Sequence, residues 1–175
     1  MEMVFPNIKY KKKALDFIKE FHDYKSKING SGSLERFLEE SDYENWLKKI
    51  LSDIDIANIE KNRVPALTYF YVREKDDKII GMINIRLTLN GFLKKEGGHI
   101  GYCIRPTERN RHYATSMLGE ALKVCDTMGI NEVLVSCDKS NTASANVIKN
   151  CNGILEDEFY SEVFKETIQR YIIKR

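Results

Sequence analysis

The chain predicts an α/β fold: a mixed, mostly antiparallel central sheet with helices on both faces. Three observations carry that prediction. Helical apolar spacing fills residues 11–58, strand-like runs take over at Pro65, and after Pro106 the order becomes turn, helix, strand, helix, strand. At 175 residues one domain suffices, with residues 1–64 as a helical N-terminal part and 65–175 as the part that holds the sheet.

Each element has its own signal. From Lys11 to Lys25, Ala14, Leu15, Ile18 and Phe21 make one apolar face opposite Lys, Asp and Glu, and the run 28–33 (Ile-Asn-Gly-Ser-Gly-Ser) breaks it. Leu34 to Glu39 and Asp42 to Asn58 follow as helices. The second has Trp46, Leu47, Ile50, Leu51 and Ile54 as its stripe and Ser41 or Asp42 as its cap. Ala66 to Val72 is β-branched and aromatic, and it turns at the charged run Glu74 to Lys78 into a second strand, Ile79 to Leu89. A loop through Asn90-Gly91 and residues 94–98 leads to a third strand, His99 to Arg105, closed by Pro106. Tyr113 to Met128 holds Ala114, Met117, Leu118, Ala121, Leu122 and Cys125 at helical spacing until Gly129 stops it. Glu132 to Cys137 alternates as a strand and Thr142 to Cys151 reads as a short helix. Ile154 to Phe159 and Arg170 to Lys174 close the sheet.

Composition narrows the function. Lys and Arg number 28 against 26 Asp and Glu, a net charge of +2, so no long-range field favours a polyanion and no nucleic-acid partner is expected. The longest apolar run, 66–72, is strand-sized, and no membrane association is expected. Cys103, Cys125, Cys137 and Cys151 form no C-x-x-C pair and have no histidine placed to complete a zinc set, so no metal is expected and buried thiols in a reducing, cytoplasmic setting are. The amino terminus meets charge and proline before any apolar core that could serve as a signal peptide.

The strongest local signal is Ile104-Arg105-Pro106-Thr107-Glu108-Arg109-Asn110-Arg111-His112-Tyr113-Ala114-Thr115: a strand, a basic polar turn, then the start of a helix. A helix start leaves backbone N–H groups unpaired at the positive end of a dipole, so such a turn can cradle a pyrophosphate, with Arg109, Arg111 and His112 adding positive charge.

This segment resembles the acetyl-coenzyme A (acetyl-CoA) signature of the GNAT N-acetyltransferase superfamily, Gln/Arg-x-x-Gly-x-Gly/Ala, here Arg109-x-x-His112-x-Ala114. The run 97–106 (Gly-Gly-His-Ile-Gly-Tyr-Cys-Ile-Arg-Pro) is similar to the family's fourth strand, and Asn141-Thr142-Ala143-Ser144 to the Asn-x-x-Ser at its next helix. The resemblance implies an acetyl-CoA-dependent transferase. The amides of Asn110, Arg111, His112, Tyr113, Ala114 and Thr115 would hold the pyrophosphate, and the main chain of Tyr102, Cys103 and Ile104 the pantetheine arm. The Ile104 N–H would polarise the thioester carbonyl, Asn141 would bond the pantetheine, and Ser144 would lie near the phosphate or adenine end. Two positions depart from the family: His112 stands where glycine is usual, and Ile148 where many members carry the tyrosine that protonates the leaving thiolate.

The chemistry is attack of an amine on a thioester, and a lysine-like amine is only about one part in a thousand neutral at pH 7. His99 is the candidate general base, with Glu96 just before it read as a solvated loop charge. The acceptor would be a small-molecule or peptide amine, its pocket shaped by Ile28 to Val64 and Asn90 to Gly98. Tyr43 and Trp46 read as core or pocket wall, and Glu39, Glu40, Asp42 and Glu44 as a solvated face or a lure for cations. A hydrolase pairing Cys103 with His99 fails on spacing, roughly 13 Å along a strand. A non-catalytic acetyl-CoA sensor is the alternative to an enzyme, and a homodimer through a sheet edge or the closing hairpin is open.

Overall fold

The structure, a computed structural model, describes residues 1–39, 42–59 and 62–175. Its strands are β1 Glu2–Val4, β2 Ala66–Arg73, β3 Lys78–Arg86, β4 Ile100–Ile104, β5 Glu132–Asp138, β6 Ile154–Ser161 and β7 Glu166–Lys174, and its helices are α1 Lys11–Asp23, α2 Leu34–Glu39, α3 Tyr43–Ser52, α4 Tyr113–Thr127 and α5 Thr142–Asn150. Every strand pair is antiparallel. The strands form one sheet ordered β1-β2-β3-β4 and a second ordered β5-β7-β6. The two meet through an isolated bridge between Gly98 and Val135, beside which His99 donates its N–H to the Leu134 carbonyl at 2.7 Å.

Two apolar layers cover the sheets. On one face α4 and α5 bring Met117, Leu118, Ala121, Leu122, Ala145 and Ile148 against Ile80, Ile83, Ile100, Val133 and Val135. On the other, α1 to α3 bring Phe17, Phe21, Leu34, Tyr43, Trp46 and Ile50 against Phe70, Ile79, Met82 and Cys103. Alternation along β4 explains the division, because Ile100, Tyr102 and Ile104 face the first layer and Cys103 the second.

Several boundaries differ from the sequence reading for local reasons. Phe17, not the exposed Leu15, completes the buried stripe of α1. The α3 helix stops at Ser52, short of Asn58: the Asp53 carbonyl is spent on the Ala66 N–H at 2.9 Å, Asp55 accepts the Ala57 amide, and Ile54 is left exposed. Asp42 caps α3 through the Asn45 N–H, whereas Ser41 and Glu40 lie outside the described residues, as does the Glu39 side chain. Glu44 pairs with Lys11. At the amino terminus β1 adds a short edge strand to β2, too brief to show a periodicity. The loop before β4 contains one wide π-type turn, Leu93–Gly97.

Trp46 and Tyr43 are core. Both are fully buried, Trp46 packs on Tyr43 and Phe70 at centroid distances of 5.3 and 5.8 Å, and its Nε1 donates to the Gly32 carbonyl. We expect Trp46→Ala to lower unfolding stability by about 3–5 kcal/mol in urea titrations, and Trp46→Phe by clearly less.

Candidate active site

The β4 strand shares only one edge with its sheet. Arg86 N–H donates to the His99 carbonyl and Arg105 N–H to that of Ile80, both at 2.8 Å, in a register that pairs Gly81 with Ile104 and Ile85 with Ile100. In an antiparallel pair alternate residues face the partner, so the main chains of Gly101 and Cys103 point at β3 while those of Tyr102 and Ile104 point away from it. The sequence reading gave all three of Tyr102, Cys103 and Ile104 to the coenzyme. Cys103 is corrected, since its main chain is already spent on β3. Beyond the Gly98 bridge the outward edge of β4 opens into a cavity of about 1230 Å3.

The floor of that cavity is the turn after Pro106. His112 is the N-cap of α4 with φ 59° and ψ 8°, and Asn110 also has a positive φ of 60°. The turn therefore does require the left-handed conformation that glycine supplies elsewhere, and His112 adopts it at a steric cost. No side chain caps the helix, and its first bond is Ser116 N–H to the His112 carbonyl, which leaves the preceding amides without helical acceptors. Asn110, His112, Tyr113 and Ala114 line the cavity together with Tyr102, Cys103, Ile104, Arg109, Asn141 and Ser144. Arg111 and Thr115 do not.

Carboxylates that the sequence reading passed over hold this turn in place. Glu20 of α1 accepts the Thr107 N–H at 2.9 Å, the Thr107 hydroxyl at 2.8 Å and Arg105 Nη1 at 2.7 Å. Glu108, 5% exposed, accepts from Arg73, Lys78 and Arg111 at 2.9, 3.0 and 2.9 Å. Burial alone would push both carboxyl groups up, but these bonds outweigh it and hold both below the ordinary value. The arginines expected at the phosphate are thus largely committed to the protein. Arg111 is on Glu108, while Arg109 donates from Nε to the Ile104 carbonyl at 3.2 Å and from Nη2 to Ser26 at 2.7 Å, with its guanidinium 5.7 Å from the Phe21 ring.

On the opposite wall, Asn141 is the N-cap of α5, accepting the Ser144 N–H at 3.1 Å, and the Ser144 hydroxyl lies 2.8 Å from that of Tyr102. Burial raises the Tyr102 phenol above its ordinary value, so it stays protonated as a hydroxyl donor. Ile148 is fully buried in the core and is not part of the wall.

His99 is corrected as well. It does not line the cavity, and its Nδ1 accepts the Leu134 N–H at 2.9 Å, while burial and the nearby Arg86 charge lower its pKa. It is a strut joining the two sheets. Glu96, by contrast, does line the cavity: its side chain is 4% exposed, and Oε2 has no partner among the described residues. A charged residue beside two glycines in a polar loop gives no periodic sign of burial, which is why the sequence reading left it in solvent.

The residues around the cavity fit a long anionic thioester: free amides and a dipole end at its floor, an unpaired strand edge along one wall, and hydroxyl and amide side chains on the other. A second, smaller pocket of about 340 Å3 adjoins it, lined in part by residues 28–33, 62–64, 90 and 92–93. Gly30 lies between the two. At φ 71° it packs so closely on Gly101 that a Cβ there would collide with the Gly101 carbonyl. Among the described residues no three His, Cys, Asp or Glu side chains gather as a metal site.

The family model described as acetyltransferase (GNAT) domain matches residues 20–153. The chain belongs to the GNAT acetyltransferase family, and it is an acyltransferase of the acetyl-CoA-dependent kind. Solved structures share the fold. The ribosomal-protein-S5-alanine acetyltransferase of Vibrio fischeri superposes with a TM-score of 0.72 at 14% identity, covering 98% of this chain and 91% of that one. A ribosomal L7/L12 α-N-protein acetyltransferase in complex with coenzyme A gives 0.70 at 12%, covering 98% and 92%. The microcin C7 self-immunity acetyltransferase, with acetyl-CoA and AMP, gives 0.67 at 17%, covering 99% and 91%. No curated protein sequence matches this GNAT chain. No helix among its described residues is long and apolar enough to cross a membrane.

Replacing His112 with glycine should remove the left-handed strain, raising stability by about 1 kcal/mol in denaturant titrations. Glu20 and Glu108 make a second test. A carboxyl group whose folded pKa is depressed contributes stability that is complete above its ordinary value of 4.5 and is lost as pH falls through the folded value. The stability curve should therefore decline on the acid side of about pH 4.5. In Glu20→Gln/Glu108→Gln that decline should be shallower, and stability at pH 7 lower.

Proposed function

We propose that this GNAT chain moves an acetyl group from acetyl-CoA to a primary amine of a small molecule or peptide by direct transfer, without an enzyme-bound acyl intermediate. The observation that carries the reading is the run of uncapped amides at the start of α4, opening into the same cavity as the free edge of β4. The amides of Asn110, His112, Tyr113 and Ala114 hold the pyrophosphate, and the outward groups of Tyr102 with the N–H of Ile104 extend the pantetheine arm as an added strand. The Ile104 N–H is the donor for the thioester carbonyl, whose oxygen gains negative charge as the amine adds. Asn141 offers its amide to the pantetheine, and Ser144 and Tyr102 supply hydroxyls beside it.

Proton balance needs no tyrosine at position 148. The ammonium first gives one proton to water; from the neutral amine a C–N bond then forms, the C–S bond breaks, the nitrogen gives up one further proton and the departing sulfur gains one. Bond by bond, the acetylated nitrogen supplies what the thiolate needs. The acceptor enters from the side of residues 28–33 and 90–93, where the smaller pocket adjoins the cavity. The four free thiols, raised in pKa by burial, suit the reducing cytoplasm.

Calorimetry with acetyl-CoA should show one site per chain, and a panel of primary amines should release free thiol in step with acetylated product. Uptake without thiol release for any amine would make the chain a coenzyme sensor. No uptake at all would remove the reading.

A further inference from the structure

Arg86 ends β3 at the junction of the two pockets and lines both. Its Nη1 donates to the Gly97 and Gly98 carbonyls, each at 2.9 Å, which pins the guanidinium against the loop before β4. Its Nη2 lies over the face of Gly101, 3.4 Å from where a Cβ would stand, so the absence of a side chain there leaves the guanidinium room. Among the described residues, Nε and Nη2 have no acceptor, and no carboxylate lies within ion-pair distance. Burial accordingly lowers its pKa with no neighbouring anion to oppose the shift. Other arginines near the cavity do meet acids: Arg73 and Arg111 meet Glu108, and Arg105 meets Glu20.

A guanidinium fixed on one side by backbone carbonyls, with a fork of free donors at a cavity wall, is arranged to receive an oxyanion. The coenzyme's phosphates do not supply it, because Asn110, His112, Tyr113 and Ala114 line the larger cavity only and none of them lines the smaller pocket. Glu96 stands in the same larger cavity with an unpartnered oxygen, beside the Gly97 carbonyl that Arg86 holds, yet makes no ion pair with Arg86. One site thus presents a cation with no acid partner and, kept apart from it, a carboxylate with one free oxygen, the other oxygen of Glu96 lying 3.7 Å from Lys95 Nζ.

Building on the acetyl-transfer reading, we propose that the acceptor amine belongs to a molecule that also carries an oxyanion, a carboxylate or phosphate: an amino-acid-like zwitterion whose anion Arg86 receives, and not a polyamine. Glu96 faces the amine end.

The test compares amines matched except for the anion: glycine against glycinamide, 4-aminobutyrate against butylamine, phosphoethanolamine against ethanolamine, with spermidine as the polycation. Wild type should favour the anionic member by tenfold or more in kcat/KM, and the pair with the largest ratio distinguishes carboxylate from phosphate. In Arg86→Gln that ratio should fall to about one through KM for the amine, with acetyl-CoA affinity held within about twofold. Because Arg86 also anchors Gly97 and Gly98, Arg86→Lys serves as the milder variant, expected to keep part of the preference. Acetylation of neutral amines or spermidine as well as or better than their anionic counterparts overturns the proposal and leaves the transfer reading standing. An unchanged ratio in folded Arg86→Gln also overturns it. If no amine is acetylated, the transfer reading fails. Calorimetry of glycine, 4-aminobutyrate and phosphoethanolamine into coenzyme-saturated wild type and Arg86→Gln then decides the anion site by itself: uptake lost in the variant supports it, and equal or absent uptake refutes it.

Discussion

The outer edge of β4 is the constraint from which the rest of the molecule follows. A strand in the interior of a protein must find partners for both of its backbone edges. Here β3 satisfies one, and the other is paired with β5 only at Gly98 and His99 before the sheets part. The contact is made possible by Gly98, at φ 64°, where a Cβ would stand 2.5 Å from the Leu134 carbonyl. His99 reinforces it by holding the Leu134 amide on its ring nitrogen. Past that junction the strand is left with donors and acceptors facing an open cleft, a template on which an extended amide-bearing ligand can pair.

The turn after Pro106 serves the same cleft by a different device. Its free amides cost stability, as does the left-handed His112, and a ring of charge-assisted bonds compensates. Glu20 reaches across from α1 to hold Thr107 and Arg105, Glu108 gathers three cations beneath the turn, and Arg109 ties the Ile104 carbonyl to the loop after α1. The helical layer on the far face is thereby coupled to the position of the coenzyme turn, and the same layer supplies Gly30 at the point where the two pockets meet.

Much of this was legible in the sequence because it is periodic or punctuated. The stripe of α4, the alternation in β5, and the Asn-x-x-Ser cap of α5 are local signals, and Pro106 with the basic turn marked the site. What escaped was decided by side-chain partners that no periodicity marks. Arg109 and Arg111 looked like phosphate ligands because a basic turn does not show which way its side chains fold: Arg111 turns three residues back to Glu108, and Arg109 five back to the Ile104 carbonyl and across to the distant Ser26. His99 looked like a base until Leu134 claimed its ring. Glu96 and Arg86 looked like a loop charge and a strand end, and only the folding of 90–98 back over β3 and β4 puts both in the cavity. The division of the sheet into two is likewise invisible in strand propensities, since it depends on register.

The most direct measurement is a titration of isotope-labelled protein with coenzyme A followed through the backbone amide resonances. The amides of Tyr102, Ile104, Asn110, His112, Tyr113 and Ala114 should shift first and farthest, while those of Gly101 and Cys103, turned toward β3, move little. Shifts centred on another surface, or an unperturbed spectrum at saturating coenzyme, would contradict the assignment of this cleft.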